Sequence, residues 1–233
     1  MRFTYEYPRP AVTVDVVLFT MRAEDLAVLL VKRKGPPFKG AWALPGGFVN
    51  ENEPLVRAAL RELEEETGVG GVAVEQLGAF GDPGRDPRGH TVSVAYVGFV
   101  VAEAHTVVAG DDAAQAAWIP LQRIARRRRA RVRLAFDHAS IIALARERLR
   151  ERLGDPVSRA TALELVPPRF TLTELQRVYE AVLGRTLDTR AFRTRLRSHW
   201  IVEAVATGRV RAGAKRTRRA QLYRWRRRRT SER

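Results

Sequence analysis

The 233-residue chain contains no cysteine, which excludes disulfide bonds and metal sites built on thiolates. It also lacks any apolar run near the roughly 20 residues that a membrane-spanning helix requires. The apolar positions of the first twenty residues are interrupted by Glu6, Pro8, Pro10 and Asp15, so a secretory signal is not predicted. These absences favour a cytoplasmic protein that has no membrane partner.

Lysine is scarce, and charge is unevenly distributed along the chain. The 4 lysines stand against 38 arginines, a ratio typical of a GC-rich genome, so part of the arginine content reflects codon usage. Residues 1–122 hold 11 Lys+Arg and 16 Asp+Glu, net −5, whereas residues 123–233 hold 31 and 10, net +21; the two sum to +16. An acidic front half and a basic back half predict separate roles, with a polyanion as the partner of the back half.

The front half alternates strand and helix patterns. β-branched apolar runs at residues 11–20 and 26–34 predict strands, and residues 54–67 have a helical pattern that ends before Gly68. Further strand patterns follow, which makes this half a mixed α/β domain. The predicted segments are an α/β domain at residues 1–153, a proline-containing linker at 154–169, a smaller domain at 170–228 and a basic tail at 229–233.

The smaller domain has the order helix, short turn, helix, hairpin. Its first helical pattern begins with Thr171 and Glu174 at capping-box spacing and ends at Gly184, and Asp188 is the expected cap of the second helix. Two strand patterns then flank a basic, glycine-containing tip at residues 206–219. This order predicts a winged helix-turn-helix, which is a DNA-binding fold.

Residues 61–68 read RELEEETG and crowd four glutamates into the end of one predicted helix. Like charges three or four residues apart repel by a few tenths of a kcal/mol, roughly, so helix stability alone does not favour this run. Helical spacing places Glu62, Glu65 and Glu66 on one face about 100° wide, and Glu64 on another. The run is either a solvated acidic surface or a site for a hard divalent cation such as Mg²⁺, which takes oxygen ligands.

The flanking residues decide between these two interpretations. From Gly47 the chain reads GFVNENEPLVRAALRELEEETGV, which fits G-x5-E-x7-R-E-U-x-E-E-x-G-U, where U is aliphatic, at every fixed position. This segment resembles the Nudix box. The resemblance implies a Nudix α/β/α sandwich with a mixed sheet, and hydrolysis of a nucleoside diphosphate linked to another group.

The resemblance also implies roles for the matching residues. The implied ligands of an Mg²⁺ or Mn²⁺ ion are Glu62, Glu65 and Glu66. Arg61 would orient a glutamate through charge-assisted hydrogen bonds, and Gly47 and Glu53 would shape the loop before the helix. The metal would lower the pKa of a bound water that attacks phosphorus. The predicted catalytic residues are Glu53, Arg61, Glu62, Glu65 and Glu66, and a further acid outside the motif has three candidates, Glu103, Asp111 and Asp112.

Two arginines of a polar loop, Arg85 and Arg88, are candidates for binding substrate. The loop is either a solvated turn or a clamp on phosphate or ribose oxygens, for which arginine forks are well suited. With the stretches YPRPAVTVD, KRKGPPFKGAWALPGGF and FGDPGRDPRG, the front half resembles the ADP-ribose pyrophosphatase branch of the Nudix family. ADP-ribose is therefore the expected substrate, bound by Gly47 and the two arginines. Phe38 or Trp42 either stacks on its base or packs in the core.

The second helix of the smaller domain has one apolar and one basic face. Phe192 and Leu196 share the inward face, whereas Arg190, Arg193 and Arg197 repeat on another, which is either a solvated face or a stripe that enters a major groove. Basic residues near the hairpin tip are expected to contact phosphates. The predicted DNA-binding residues are Arg190, Arg193, Arg197, Arg209 and Lys215.

The two-part layout, with the stretch FTLTELQRVYEAVLGRTLDTRAFRTRL, resembles Nudix-related transcriptional regulators of NAD metabolism. In that family the Nudix half senses ADP-ribose or a related nucleotide, and the winged helix of a homodimer binds a palindromic operator. The intact box makes a metal-dependent ADP-ribose hydrolase with a DNA-binding domain the first hypothesis. The alternative is a regulator that uses the pocket as a sensor. The expected partners are a nucleotide sugar, double-stranded DNA and a second copy of the chain.

Overall fold

The computed structural model describes residues 6–22, 24–101, 105–110, 113–125, 132–154, 165–198, 202–211 and 217–225. The chain divides into two compact units, Met1–Arg148 and Leu149–Arg233. None of the described helices is both long and apolar enough to cross a membrane. The predicted domain limits at residues 153, 169 and 228 stay predictions, because the linker and the tail include residues outside the described ranges.

The first unit is built on one mixed sheet of seven strands. Its elements are β1 (Ala11–Arg22), β2 (Asp25–Arg33), β3 (Trp42–Ala43), β4 (Gly46–Phe48), α1 (Leu55–Thr67), β5 (Val74–Phe80), β6 (Thr91–Phe99), β7 (Ala113–Pro120), α2 (Leu121–Ala125) and the start of α3 (His138–Gly154). The central strand order is β3, β2, β1, β6, β5; β4 also pairs with β1, and β7 with β2. β1 and β6 are parallel, and the other pairs are antiparallel. The predicted mixed α/β fold is confirmed.

Helix α1 packs against this sheet through a narrow apolar side. Ala58, Ala59 and Leu63 are fully buried and belong to the same core cluster as buried residues of β1, β2 and β6. The helix ends at Gly68, whose φ of 70° is in the left-handed region that favours glycine, and the Gly68 amide donates to the carbonyl of Glu64 at 2.8 Å. Because the apolar side faces the core, the glutamates lie on the remaining sides of the helix.

The second unit contains α4 (Leu172–Leu183), α5 (Thr189–Ser198), β8 (Val202–Arg211) and β9 (Thr217–Trp225). The predicted capping box is present, since the Thr171 hydroxyl accepts from the Glu174 amide and the Glu174 carboxylate accepts from the Thr171 amide. The Asp188 carboxylate accepts from the Ala191 amide at 2.7 Å, which caps α5 as predicted. The helix pair followed by a hairpin confirms the predicted order of elements.

The hairpin strands are longer than the sequence predicts. The ladder of β8 and β9 continues to the pair Arg211 and Thr217, so Arg209 lies opposite Arg219 within the ladder and not at the tip. Glycine and successive arginines were expected to mark a turn, but here Gly208, Arg209 and Arg211 pair with the partner strand within the ladder. Lys215, predicted at the tip, lies outside the described residues.

Candidate functional site

A pocket of about 640 Å³ lies in the first unit, within the size range of small-molecule sites. Its lining comes from β1, β2, β3, β4, α1, the loop of residues 81–90, and the start of α3 with the segment just before it. One part of the lining is acidic and contains Asp15, Glu62 and Glu66. Another part contains arginine, histidine and phenylalanine side chains, so the pocket combines both signs of charge.

Glu66 is a half-buried glutamate of the pocket lining. Its carboxylate accepts a hydrogen bond from the Gly46 amide at 3.1 Å. Burial raises the pKa of Glu66 to about 7, and the neighbouring carboxylates of Glu62 and Asp15 add to the rise. The acidic part of the pocket therefore concentrates negative charge that a bound cation would stabilise.

Gly47 lies against the carboxylate of Glu62. A Cβ atom at residue 47 would lie 2.5 Å from the carboxyl carbon of Glu62, closer than two such atoms approach. Strand β4 holds this glycine in place by pairing Gly47 with Val14 of β1. The glycine of the motif therefore leaves room for the carboxylate of Glu62 to lie against β4.

Arg61 binds three glutamates at once. Its Nε and Nη2 atoms donate to the two carboxylate oxygens of Glu53 at 2.7 and 2.8 Å, and its Nη1 atom donates to Glu62 at 2.7 Å and to Glu65 at 3.1 Å. The hydrogen bonds from Arg61 lower the pKa of Glu53 to about 2. They also raise the pKa of Arg61 itself. Arg61 thus fixes the orientation of the carboxylates, as the motif predicts for this position.

Arg85 is a pocket residue whose guanidinium binds carboxylates of the protein itself. Its Nε and Nη2 atoms donate to the carboxylate oxygens of Asp137 at 2.9 and 2.7 Å, and Nη2 lies 3.7 Å from Asp15. The Arg85 side chain is only 5% exposed. Most of its hydrogen-bonding capacity is therefore directed at the protein, which leaves less for a ligand than the sequence suggests.

A buried histidine ties Asp15 to the segment before β4. The Leu44 amide donates to His138 Nδ1 at 2.8 Å, so Nε2 carries the proton of the neutral ring, and Nε2 lies 3.3 Å from Asp15. Burial lowers the pKa of His138. The Ser93 hydroxyl donates to the other oxygen of Asp15. This network fixes the floor of the pocket across β1, β6 and the start of α3.

Arg88 stands at the exposed part of the pocket. Its guanidinium donates to Asp86, with the Nη2 contact at 2.7 Å, and these hydrogen bonds lower the pKa of Asp86. The guanidinium carbon lies 5.2 Å from the ring centroid of Phe48 and 5.8 Å from that of Phe136. Its side chain is 44% exposed, so Arg88 remains accessible to a ligand in the pocket.

In the second unit, side chains of α4 hold the turn that leads to α5. Gln176 donates to the carbonyl of Leu187 at 3.0 Å and to the Thr189 hydroxyl at 3.2 Å, and Glu180 accepts from the Leu187 amide at 2.8 Å. Phe192 and Leu196 are buried, whereas Arg190 and Arg193 are exposed. The two-faced helix predicted from the sequence is present. The side chains of Arg197 and Arg209 and all of Lys215 lie outside the described part of the chain.

Residues 9–144 match the family model of the NUDIX domain. The chain belongs to the Nudix family. Residues 162–225 match the model of the NrtR DNA-binding winged helix domain. Both resemblances inferred from the sequence, the Nudix box and the winged helix of Nudix-related regulators, are therefore confirmed.

Three relatives place this Nudix chain among known proteins. The ADPR responsive transcriptional repressor NtrR of Acinetobacter baylyi is 37% identical over 224 residues, 94% of this chain and 84% of that protein. The ADP-ribose pyrophosphatase of Methanocaldococcus jannaschii is 41% identical over 136 residues, 58% of this chain and 73% of that protein. Shewanella oneidensis NrtR, solved with a 27mer DNA, superposes with a TM-score of 0.72 at 34% identity, covering 92% of this chain and 93% of that one. Its NUDIX domain, solved with ADP ribose, gives 0.56 at 38% identity, covering 61% and 90%.

The side chains of the Nudix helix offer a partial set of metal ligands. Glu62 and Glu66 line the pocket, whereas Glu65 does not and its side chain is 59% exposed. Among the described residues, no three His, Asp or Glu side chains converge closely enough to hold a metal ion. The donor set nevertheless fits a hard cation, because Glu62 and Glu66 supply carboxylate oxygen atoms to the same pocket. The candidate acids Glu103, Asp111 and Asp112 lie outside the described residues.

Sequence reasoning missed several residues of the Nudix pocket, among them Asp15, Arg33, Phe136 and His138. Asp15 had a usable signal, a lone acid inside an apolar strand, which is costly to bury without partners. Arg33 lies in the quoted stretch KRKGPPFKGAWALPGGF, but nothing there singled it out from its neighbours. Phe136 and His138 belong to no motif and reach the pocket through the fold. Phe38 and Trp42 do not line the pocket; Phe38 packs edge-on against Phe136 with ring centroids 4.9 Å apart.

Proposed function

We propose that the chain is a transcriptional regulator whose winged helix binds double-stranded DNA and whose Nudix pocket binds ADP-ribose, which controls that binding. The observation that carries the proposal is the 37% identity to a repressor over 94% of the chain, because that alignment spans both the pocket and the winged helix. The two structures of Shewanella oneidensis NrtR support each half separately, since one contains a 27mer DNA and the other ADP ribose. The regulator acts in the cytoplasm as a homodimer.

Selection of DNA from a random double-stranded library by the purified chain tests this proposal. A palindromic sequence is expected to be enriched, and ADP-ribose is expected to release it. Arg190→Ala and Arg193→Ala, exposed on α5, should weaken retention and lower its dependence on salt. Arg22→Ala at the exposed end of β1 is the matched control. Retention that ADP-ribose leaves unchanged would contradict the proposal.

Hydrolysis of the ADP-ribose pyrophosphate is a second function, supported by the arrangement of the carboxylates on α1. Arg61 holds Glu53 and Glu62 in place, and the Gly46 amide holds Glu66. When bound at these glutamates, Mg²⁺ or Mn²⁺ supplies charge neutralisation at the pyrophosphate and a water of lowered pKa. The similarity to an ADP-ribose pyrophosphatase over 58% of the chain supports the same activity. The products would be AMP and ribose 5-phosphate.

Turnover of ADP-ribose with Mg²⁺ by Glu66→Gln and Glu64→Gln tests the hydrolase function. Both variants remove one negative charge from α1, but Glu66 lines the pocket and Glu64 is exposed outside it. Glu66→Gln should lower kcat by about two orders of magnitude or more, which corresponds to about 3 kcal/mol of lost transition-state stabilisation. Equal rates for the two variants would show that the pocket glutamates do not perform the reaction.

A further inference from the structure

The carboxylate of Glu66 is held by one backbone amide. Gly46 donates to it at 3.1 Å, and no other group in the described part of the chain forms a hydrogen bond with it. A Cβ atom at residue 46 would lie 2.1 Å from the carbonyl oxygen of Val14, so a glycine is needed for β4 to lie this close to β1. The direction of the Gly46 amide therefore decides where the carboxylate of Glu66 points.

The segment that leads to Gly46 depends on a side chain for one of its hydrogen bonds. It joins two short strands, β3 with two residues and β4 with three. Pro45 has no amide hydrogen, although its carbonyl accepts from the Val16 amide at 2.8 Å. The amide of the buried Leu44 donates to Nδ1 of His138 at 2.8 Å. Because a buried amide without an acceptor is costly, His138 helps to fix the path of the chain into β4.

The same imidazole ring contacts the strand that faces Gly46. Because Nδ1 accepts from Leu44, Nε2 carries the proton of the neutral ring, and it lies 3.3 Å from Oδ1 of Asp15. Asp15 pairs with Gly46 in the ladder of β1 and β4. One ring therefore contacts both the residue two positions before Gly46 and the residue opposite it.

His138 is itself held in place by its surroundings. Its side chain is only 3% exposed, and it is the first residue of α3. Two backbone hydrogen bonds fix the approach to this helix beside β3: the Trp42 amide donates to the carbonyl of Arg133, and the Ala135 amide donates to the carbonyl of Trp42, both at 2.8 Å. The His138 ring also lies 5.2 Å from the ring of Phe136. These contacts restrict the ring to the orientation in which both nitrogens find partners.

We propose that His138 is a positioning residue that sets the orientation of the Glu66 carboxylate through the segment from Leu44 to Gly46. Its Nδ1 atom fixes the Leu44 amide, and its Nε2 atom holds Asp15 and with it the facing strand. The kinetic part of this inference rests on the proposed hydrolysis of ADP-ribose at Glu66. The geometric part does not, because it concerns the ligand-free chain.

Amide proton–nitrogen spectra of the labelled full chain in EDTA test the geometric part. His138→Gln keeps a nitrogen near the position of Nε2 but removes the acceptor at Nδ1, whereas His138→Asn keeps an acceptor near Nδ1. Glu66→Ala removes the acceptor of the Gly46 amide and gives the reference shift of its proton. We expect His138→Gln to move the Gly46 proton in the same direction and to speed hydrogen exchange of the Leu44 amide about tenfold or more. His138→Asn should stay close to the parent. A Gly46 proton that His138→Gln leaves unmoved would overturn the proposal.

One test of the geometric part needs no substitution. Nitrogen spectra of the parent chain with labelled histidine, recorded at pH 8, show which ring nitrogen carries the proton. We expect His138 to carry it on Nε2, because Nδ1 accepts from the Leu44 amide. A proton on Nδ1 would overturn the proposal, because that nitrogen would then have no lone pair to offer.

Turnover of ADP-ribose with Mg²⁺ tests the kinetic part. His138→Gln should lower kcat about tenfold or more and change KM less than about twofold, because it displaces a group that acts on the reaction. His138→Asn should recover most of kcat. The matched control is Thr20→Val, which removes the buried hydrogen bond from the Thr20 hydroxyl to the carbonyl of Val100, at 2.7 Å and outside the pocket. It should lower the melting temperature and leave kcat unchanged. A kcat of His138→Gln no lower than that of Thr20→Val would overturn the proposal.

The two readouts separate this proposal from the proposed hydrolysis. If the parent chain does not hydrolyse ADP-ribose but His138→Gln shifts the Gly46 proton, the positioning role stands and the hydrolysis falls. If the parent hydrolyses ADP-ribose and neither the Gly46 proton nor kcat responds to His138→Gln, the hydrolysis stands and the positioning role falls. If there is neither turnover nor a shift, both fall.

Discussion

At Glu66 a carboxylate is buried beside Glu62 and Asp15, and burial raises its pKa from 4.5 to about 7. A carboxyl group whose folded-state pKa exceeds its unfolded-state pKa destabilises the folded protein once it ionises. This penalty is absent below about pH 4.5 and complete above about pH 7. The free energy of unfolding of the metal-free protein is therefore expected to fall as Glu66 ionises.

Glu66→Gln should stabilise the metal-free chain at pH 8 by about 1–3 kcal/mol, because it removes the buried charge and keeps an oxygen for the Gly46 amide. The gain should vanish near pH 4.5, where the parent carboxyl is protonated. Denaturant unfolding at both pH values, in EDTA, measures the effect, with Glu64→Gln as the control. A variant no more stable than the parent at pH 8 would show that the negative charge of Glu66 does not destabilise the folded protein.

Gly47→Ala tests the close approach of Glu62 to β4. The new Cβ would meet the carboxyl group at 2.5 Å, and because this is the end of a flexible side chain, Glu62 should move while the fold persists. We expect stability to fall by about 1 kcal/mol or less and Mg²⁺-dependent turnover to fall by about tenfold or more. Gly78→Ala in β5, where nothing lies within 4 Å of the new Cβ, is the matched control. Unchanged turnover in Gly47→Ala would contradict the assigned position of Glu62.

Helix α1 is held at its C-terminal end by a neighbouring loop. The Val108 amide donates to the carbonyl of Thr67 at 2.9 Å, and the Gly110 amide donates to the carbonyl of Glu66 at 3.0 Å. These bonds satisfy carbonyl groups that have no partner inside the helix. The loop therefore fixes the turn of α1 that carries Glu65 and Glu66.

Gly110→Ala should destabilise the protein more than Gly47→Ala does, because it disturbs the contact between this loop and the backbone of α1. The new Cβ would lie 1.9 Å from the backbone carbonyl oxygen of Glu65, which cannot rotate away. We expect a loss of about 1–3 kcal/mol of stability, the usual range for a forced backbone shift, together with lower turnover. Thermal unfolding and the turnover assay measure both. A variant as stable as Gly78→Ala would mean that the loop does not approach the helix this closely.

The elements differ in how well the sequence predicts them. Helix α1 and the capping box of Thr171 depend on neighbours within a few residues, so their patterns are readable along the chain. The prediction of the hairpin length was wrong, because glycine and arginine resemble turn signals when the partner strand is unknown. His138 accepts from the amide of Leu44, and Phe136 packs against Phe38. No local pattern reports contacts between residues so far apart in the chain.

On the scale of the whole molecule, the proposed function requires that the pocket of one unit and the winged helix of the other influence each other. Such coupling is a free energy shared between two binding events, and it is reciprocal. If ADP-ribose weakens DNA binding by a given factor, DNA must weaken ADP-ribose binding by the same factor. Typical couplings are about 1–3 kcal/mol, or roughly 5- to 150-fold.

The measurement that tests this account most directly is calorimetric titration of the full chain with ADP-ribose, in EDTA to prevent turnover, with and without saturating selected DNA. We predict that DNA raises the Kd for ADP-ribose by at least about fivefold, and by the factor with which ADP-ribose raises the Kd for DNA. An ADP-ribose affinity that is the same with and without DNA would contradict the account, because the two sites would then act independently.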